Sequence, residues 1–271
     1  MTILTGLIGY PTAHSKSPRI HAHWIAAHGL DAEYKLFTTP PSRVRQVVKR
    51  LRDKHACGFN VTVPHKLAVM EYLDGLDPIA TRIGAVNTVV REGDKLMGYN
   101  TDAYGFMTSL RVGISGELSP YLERVVILGA GGATRAVLVA VLEAGAKHIT
   151  LINRSAEKAE SLAAEFGVFT APWELREGLL EGASLLINTT SLGMEHQPSL
   201  DLDLAALPKE AAVQDIVYAP LKTPLLQQAA ARGNPTIDGL GMLLYQAQRA
   251  FALWHGITPS VDDALRQEVL A

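Results

Sequence analysis

A lysine stands just past the end of a predicted buried strand, a position from which its amine could exchange a proton with a ligand. Residues 60–66 read NVTVPHK, a β-branched run that stops at a proline and is followed two places later by Lys66. An ordinary interpretation is also open, because HKLAVMEYL, from His65 onward, has the pattern of an amphipathic surface helix. In the chemical interpretation Lys66 acts as a general acid or base.

Three polar sequences follow apolar runs in the first hundred residues, namely NVTVPHK, GAVNTV and GYNTD. Ligands of α/β sheets lie outside the carboxyl ends of strands, so these polar side chains would gather there if the runs are neighbours. The set comprises Asn60, Thr62, Lys66, Asn87, Thr101 and Asp102. Such a group could bind a polyol, although each Asn or Thr alone is equally typical of a turn.

Two serines, Ser15 and Ser17, precede Pro18 at the start of a predicted helix. Serines there are commonly N-caps, with proline suited to the first helical turn. Two hydroxyls beside a helix N-terminus are also a suitable cradle for a carboxylate. The nearby His21 and His23 do not predict a metal site, because residues two apart on a helix do not face one another.

The stretch VVILGAGGATRA, from Val125, predicts a dinucleotide-binding turn between a strand and a helix. Gly129 permits the tight turn, Gly131 lets a pyrophosphate approach the backbone, and the helix N-terminus presents unpaired N–H groups. The sixth position of the G-x-G-x-x-G pattern is Thr134 instead of Gly or Ala, and an ordinary strand-to-helix turn is the alternative.

The following strand ends in LINRS, which indicates which dinucleotide is bound. An NAD site typically carries a carboxylate at this position, whereas an arginine accommodates a 2′-phosphate. Here Arg154 is followed by Ser155 and Lys158, a hydroxyl and a second cation. The sequence therefore predicts NADP, unless Arg154 is only an exposed surface residue.

Two alternating series of strand and helix patterns must position these residues. The first hundred residues read βαβαβα and then a hairpin around Glu92-Gly93-Asp94, with antiparallel edge strands. A second α/β series begins at RVVILGAGG, and two amphipathic helices close the chain. We predict two α/β domains, the first with a mainly parallel sheet and the second Rossmann-like, and expect the last two helices to return to the first domain.

Composition restricts the kind of partner. The chain has 271 residues and a net charge of −2, so it has room for about two domains and no basic character that would indicate a nucleic-acid partner. One cysteine, Cys57, suits a reducing compartment. Neither a signal peptide nor a membrane span is recognisable. We expect a cytoplasmic protein with a small-molecule substrate, as a monomer or homodimer.

In order and spacing, several stretches together resemble the shikimate dehydrogenase family. They are GYPTAHSKSP, GFNVTVPHK, GAVNT, GYNTD, GAGGATRA, NTTSLGM, DIVYAPLKTPLL and DGLGML followed by Gln246. The resemblance covers nearly the whole chain and implies reversible NADP-linked reduction of 3-dehydroshikimate to shikimate, in the pathway to aromatic amino acids. It also implies a catalytic domain of residues 1–103 with 238–271 and an NADP-binding Rossmann domain of residues 104–237.

The resemblance implies a role for each matching residue. Lys66 and Asp102 would be the catalytic pair, and Ser15 and Ser17 would hold the substrate carboxylate. The remaining substrate-binding positions would be Asn60, Thr62, Asn87, Tyr218 and Gln246. The cofactor would contact Gly129, Ala130, Gly131, Gly132, Ala133, Asn153, Arg154, Ser155, Lys158, Ile216 and Gly239.

Two positions depart from the family's pattern. Ala22 stands where Asn is common, and Ser155 stands where Thr is frequent. The serine at position 155 could weaken binding of the 2′-phosphate. A quinate/shikimate dehydrogenase with relaxed NAD or NADP use is the nearest alternative function. A nonenzymatic NADPH sensor is a second alternative, but a sensor has no need of Lys66, Asp102 and the serine pair together.

Overall fold

The structure, a computed structural model, describes residues 2–271 and divides into two compact units. The first unit contains the residues up to Asp102 together with Leu244–Ala271, and the second contains Ala103–Leu243. Each unit is built around its own six-stranded sheet. The predicted two-part α/β class is confirmed; the assignment of residues 1–103 with 238–271, and of 104–237, to catalytic and cofactor domains stays a prediction.

The strands are β1 (Ile3–Gly9), β2 (Ala32–Thr38), β3 (Gly58–Val61), β4 (Gly75–Leu76), β5 (Thr88–Glu92), β6 (Lys95–Tyr99), β7 (Arg124–Leu128), β8 (His148–Ile152), β9 (Phe169–Ala171), β10 (Leu185–Asn188), β11 (Ala212–Asp215) and β12 (Thr236–Ile237). The α-helices are α1 (Ser17–Ala27), α2 (Val44–Asp53), α3 (Pro78–Ile83), α4 (Asp102–Gly113), α5 (Gly132–Glu143), α6 (Ala156–Phe166), α7 (Pro224–Arg232), α8 (Gly239–His255) and α9 (Asp263–Leu270).

In the first unit the strand order is β2-β1-β3-β5-β6-β4. Strand β1 pairs in parallel with β2 and β3, whereas β5 runs antiparallel to both β3 and β6. The predicted hairpin is confirmed, with Glu92 paired to Lys95 across a two-residue turn. The expectation that this hairpin forms the sheet edge is wrong, because the short strand β4 pairs in parallel with the outer side of β6.

The segment after Lys66 does not form the amphipathic α-helix that its pattern suggested. Only a 3₁₀ turn at Ala68–Tyr72 is present, with Val69 buried. Lys66 itself lies before this turn, so the surface-helix interpretation of its position is wrong. Val69, Met70, Tyr72 and Leu73 of this segment pack on the core that includes residues of β3 and β5, whereas Leu67 is exposed.

The C-terminal helices pack within the first unit, as predicted. The indole of Trp254 on α8 donates to the carbonyl of Val89 at 2.9 Å. The indole of Trp24 on α1 donates to the carbonyl of Ser260 at 2.9 Å, and His23 meets Glu268 on α9 at 2.6 Å. These long-range contacts fix the chain's end to its first helix.

In the second unit the strand order is β12-β11-β10-β7-β8-β9, with every neighbouring pair parallel. Read from β9, this is the Rossmann order 3-2-1-4-5-6, in which the strand order reverses between the first and fourth strands. The reversal therefore lies between β7 and β10. Strand β7 leads directly into the glycine turn, so the local pattern and the sheet order indicate the same crevice.

No helix within residues 2–271 is long and apolar enough to cross a membrane.

A histidine is buried in the aromatic core of the first unit. His21 on α1 is 0% exposed, and its ring stacks on that of Tyr34 with centroids 4.2 Å apart. Among the described residues neither of its ring nitrogens has a hydrogen-bond partner. Burial, together with a smaller effect of the neighbouring His255, lowers the pKa of His21 from 6.5 to about 3.

This buried ring makes stability depend on pH. The unfolded chain takes up a proton on His21 near pH 6.5 while the folded chain stays neutral down to about pH 3. The free energy of unfolding therefore falls as the pH drops through that window, by about 2 kcal/mol between about pH 7 and about pH 5. We predict that His21→Phe removes most of this loss, measured by urea titration at both pH values.

His148→Gln, at an exposed position of β8, is the matched control and should leave the pH dependence unchanged. An equal loss of stability in His21→Phe and in the wild type would contradict the assignment of the effect to His21.

Candidate functional site

The ammonium of Lys66 forms an ion pair with the carboxylate of Asp102. Nζ lies 2.5 Å from Oδ2, and the two side chains are 22% and 12% exposed. The pair is thus sheltered but reachable from solvent. Such a pair can present a proton to a ligand that reaches the amine.

Strand directions explain why these residues meet. Lys66 lies beyond the carboxyl end of β3, and Asp102 lies beyond the carboxyl end of β6. Because β5 is antiparallel to both, its start lies at that same edge, with Asn87 immediately before it. The expectation that Asn87 follows a strand is therefore wrong, although the expected gathering of side chains occurs.

Asn87 connects the members of this edge. Its Nδ2 donates to Asp102 Oδ1 at 2.8 Å and lies 3.5 Å from Oε1 of Gln246 on α8. Its Oδ1 accepts the backbone N–H of Thr101 at 2.7 Å and the hydroxyl of Thr88 at 3.0 Å. The amide thus fixes the orientation of the Asp102 carboxylate that Lys66 contacts.

The backbone on either side of the pair is also anchored. The Lys66 carbonyl accepts the N–H of Val86 at 2.9 Å. His65 Nε2 donates to the carbonyl of Thr39 at 2.5 Å, and this identifies the nitrogen that carries the proton, since a carbonyl only accepts. Asn100 Oδ1 accepts the N–H of Asp102 at 3.0 Å. Hydrogen bonds therefore fix the backbone from which the Lys66 and Asp102 side chains extend.

The serine pair lies at the start of α1, beyond the end of β1. Ser15 Oγ accepts the N–H of Ser17 at 3.2 Å, while the N-cap residue is Lys16, whose side chain makes no capping bond. Asn60, at the end of β3, donates to the carbonyl of Asn87 at 3.2 Å. Thr62 directly follows that strand, and its methyl group borders Gly9. All the predicted substrate residues except Tyr218 belong to the first unit.

The glycine turn of the second unit has the features that a phosphate needs. Gly129 has φ +109°, and an added Cβ there would meet Thr189 Oγ1 at 2.6 Å, so only glycine fits. An added Cβ at Gly131 or Gly132, in contrast, would enter open space. Beside the first turn of α5, this open space lies next to unpaired backbone N–H groups. The residues present therefore fit a pyrophosphate.

Thr134, the departure from the usual glycine pattern, has a local function. Its hydroxyl accepts the N–H of Gly131 at 2.9 Å and contacts the hydroxyl of Thr189 at 2.8 Å. The latter donates to the carbonyl of Leu128 at 2.7 Å. This chain of hydrogen bonds holds the turn against the end of β10, a task that neither Gly nor Ala could perform.

The predicted 2′-phosphate residues follow β8. Arg154, Ser155 and Lys158 are all exposed, and neither cation forms an ion pair within the described part of the chain. Asn153 Nδ2 donates to the carbonyl of Ser155 at 3.0 Å and so shapes the turn before α6. Two cations without an ion-pair partner among the described residues are better suited to bind a phosphate than a ribose hydroxyl.

Ile216 and Gly239 are brought together in the second unit. An added Cβ at Gly239 would lie 2.2 Å from the carbonyl oxygen of Ile216, so the close approach requires glycine. Tyr218 is two residues further on, and burial raises the pKa of its phenol. Its phenol is therefore a neutral group.

Several polar residues around these sites were not predicted. Asp215 is fully buried at the end of β11 and accepts from Asn188 Nδ2 at 3.0 Å and Thr223 Oγ1 at 2.7 Å. Burial raises the pKa of Asp215, and its hydrogen bonds oppose that rise. In the first unit Tyr34 donates to Asn60 Oδ1 at 2.8 Å. Asp215 is the first residue of the stretch DIVYAPLKTPLL, but no role was assigned to it, and Tyr34 lies outside all the motifs.

Over residues 2–271, no three or more His, Cys, Asp or Glu side chains are grouped so that they could hold a metal ion.

Family models match three stretches of the chain. Residues 7–89 match the shikimate dehydrogenase substrate binding domain, residues 117–193 match shikimate/quinate 5-dehydrogenase, and residues 239–267 match the shikimate 5′-dehydrogenase C-terminal domain. A shikimate dehydrogenase (NADP(+)) of Paramagnetospirillum magneticum is 51% identical, over 99% of this chain and 98% of that protein. The chain belongs to the shikimate dehydrogenase family.

Solved structures of the family have the same fold. Shikimate 5-dehydrogenase of Thermus thermophilus, in complex with NADP(H) and shikimate, has a TM-score of 0.88 at 37% identity, covering 99% of both chains. Quinate dehydrogenase of Corynebacterium glutamicum, in complex with NAD, has a TM-score of 0.92 at 32% identity, also covering 99% of both chains. The fold is therefore shared by relatives that differ in substrate and cofactor.

The Asn87 network yields a prediction about stability. In Asn87→Ala the buried N–H of Thr101 loses its acceptor and Asp102 loses a donor. We expect the free energy of unfolding to fall by about 1–3 kcal/mol, measured by urea titration. Thr81→Ala, which removes an exposed hydroxyl bonded to the carbonyl of Asp77, should cost much less. Equal costs for the two variants would contradict the connecting role of Asn87.

Proposed function

We propose that this protein is an NADP-dependent shikimate dehydrogenase, which reversibly reduces 3-dehydroshikimate to shikimate in the aromatic amino acid pathway. The observation that carries the proposal is the Lys66–Asp102 ion pair, with Nζ and Oδ2 2.5 Å apart at a ligand-accepting edge of the sheet. Membership of the family supports the reaction and the cofactor.

When bound, NADPH supplies a hydride to the ketone carbon. Lys66 donates a proton to the ketone oxygen as negative charge develops there, and in the oxidation of shikimate the neutral amine takes that proton back. Asp102 holds the amine in place, and Asn87 holds Asp102. The catalytic contribution of the chain is thus one oriented proton donor on a rigid support.

The other substrate contacts follow from the residues at the same edge. Ser15 and Ser17 bind the carboxylate through their hydroxyls at the start of α1. Ring hydroxyls bind to the remaining polar side chains, which are Asn60, Thr62, Asn87 and Gln246. Tyr218, the remaining residue assigned to the substrate, belongs to the second unit, and its role stays a prediction. Support for this assignment comes from the hydrogen bonds that join Asn60 and Gln246 to Asn87.

The second unit holds the cofactor. Residues 129–133 receive the pyrophosphate, Asn153 the adenosine, and Arg154, Ser155 and Lys158 the 2′-phosphate. Ile216 and Gly239 border the nicotinamide. Support comes from the open space beside Gly131 and Gly132 and from the exposed, unpaired cations.

A quinate/shikimate dehydrogenase with relaxed cofactor use is the second candidate. The likeness to the NAD-bound quinate dehydrogenase favours it, whereas serine at both Ser15 and Ser17 and the cations after β8 favour shikimate and NADP. Turnover of shikimate and quinate with each cofactor distinguishes the two. The cytoplasmic location and the monomeric or dimeric state stay predictions.

Removal of the proton donor should affect chemistry and not cofactor binding. In Lys66→Ala we expect kcat to fall by about 100-fold or more, with the Kd for NADPH nearly unchanged. The measurements are initial rates from the absorbance of reduced nicotinamide and a fluorescence titration with NADPH.

Lys35→Ala is the matched control, since Lys35 is exposed and pairs with Glu33. It should retain wild-type kcat. Loss of NADPH binding in Lys66→Ala without loss of kcat would overturn the assignment.

Removal of the phosphate-binding cation should change cofactor preference. In Arg154→Ala we expect kcat/KM for NADP to fall by about 10- to 100-fold, with kcat/KM for NAD little changed, because only NADP carries the 2′-phosphate. Steady-state kinetics with both cofactors measures the ratio.

Arg176→Ala removes an arginine that stacks on Trp173 and does not follow β8, so it should leave the ratio unchanged. An equal loss with NADP and NAD in Arg154→Ala would contradict recognition of the 2′-phosphate.

A further inference from the structure

Tyr34 contacts a residue of the proposed substrate pocket, although it lies on β2 and none of the sequence motifs includes it. Its phenol donates to Asn60 Oδ1 at 2.8 Å. Burial raises the pKa of the Tyr34 phenol, so the phenol keeps the proton that it donates.

The direction of each hydrogen bond can be assigned. Asn60 Nδ2 faces the carbonyl of Asn87 at 3.2 Å, and a carbonyl only accepts, so the Asn60 amide has a single orientation. Its Oδ1 must then accept the proton of the Tyr34 phenol.

The ring of Tyr34 is itself held in place. It lies parallel to the His21 ring at an interplanar angle of 4°, and it packs against the cluster that contains Trp254 of α8. The phenol oxygen consequently has little freedom to move away from Asn60.

We propose that Tyr34 is a positioning residue for the substrate, which orients the Asn60 amide to receive a hydroxyl group of a hydroxylated carboxylic acid. This inference rests on the proposed function. Tyr34 does not touch the reacting atoms, so its removal should weaken substrate binding and leave the proton transfer by Lys66 intact.

The test is Tyr34→Phe, which keeps the ring stacked on His21 and removes only the hydroxyl. We expect KM for shikimate to rise by about 5- to 10-fold, kcat to change by less than about 3-fold, and KM for NADP to stay unchanged. Thermal unfolding establishes that the variant is folded. Tyr121→Phe, in the second unit, is the matched control and should behave as wild type.

A double-mutant cycle tests the route of the effect. Asn60→Ala alone should raise KM for shikimate, and adding Tyr34→Phe should raise it by less than about 2-fold further, because both changes remove the same oriented amide. An unchanged KM in Asn60→Ala would overturn the proposal even where Tyr34→Phe does not fold.

The possible failures are distinguishable. Wild-type protein that turns over no shikimate would overturn the proposed function and this inference with it. Wild-type turnover together with an unchanged KM in Tyr34→Phe, or a loss confined to kcat, would overturn the inference alone and leave a structural role for Tyr34.

Discussion

The proposed chemistry of this protein depends on one ion pair between side chains 36 residues apart in sequence, Lys66 and Asp102. Charges that are partly withdrawn from water are stable only where each has a partner and further hydrogen bonds. Here the carboxylate has the amine on one oxygen and the Asn87 amide on the other. Lys66, Asp102 and Asn87 therefore depend on one another, and neither charge could occupy this position alone.

The geometry of these three side chains follows from the reversed direction of one strand, β5. In a sheet with only parallel strands, the residue before β5 would lie at the opposite edge from Lys66 and Asp102. Because β5 is antiparallel, its first residues reach the edge at which β3 and β6 end. The sequence predicted the hairpin and the gathering of polar groups, but not the location of Asn87 before its strand, since local patterns carry no strand order.

The second unit was more predictable than the first because its features are local. A strand, a glycine turn and a helix follow one another within about twenty residues, and each has its own pattern. Its sheet order agrees with the one in which such a turn binds a dinucleotide. Only Thr134 looked anomalous, since its partner Thr189 is 55 residues away and no local pattern connects them. The apolar run after Lys66 forms only a 3₁₀ turn, for a related reason. Its conformation is decided by packing against distant parts of the chain, which a local pattern does not show.

Tyr34 shows why the residues that orient a site are harder to predict than those that act in it. Catalytic and phosphate-binding groups must be of particular chemical types at strand ends, and so they leave motifs. A supporting group needs only to place one oxygen at one point, and any element that passes nearby can supply it. Tyr34 does so from β2, because its ring is held by His21 of α1. The aromatic core that stabilises the first unit thereby also fixes the hydrogen-bond direction in its polar pocket, so packing and specificity share the same residues.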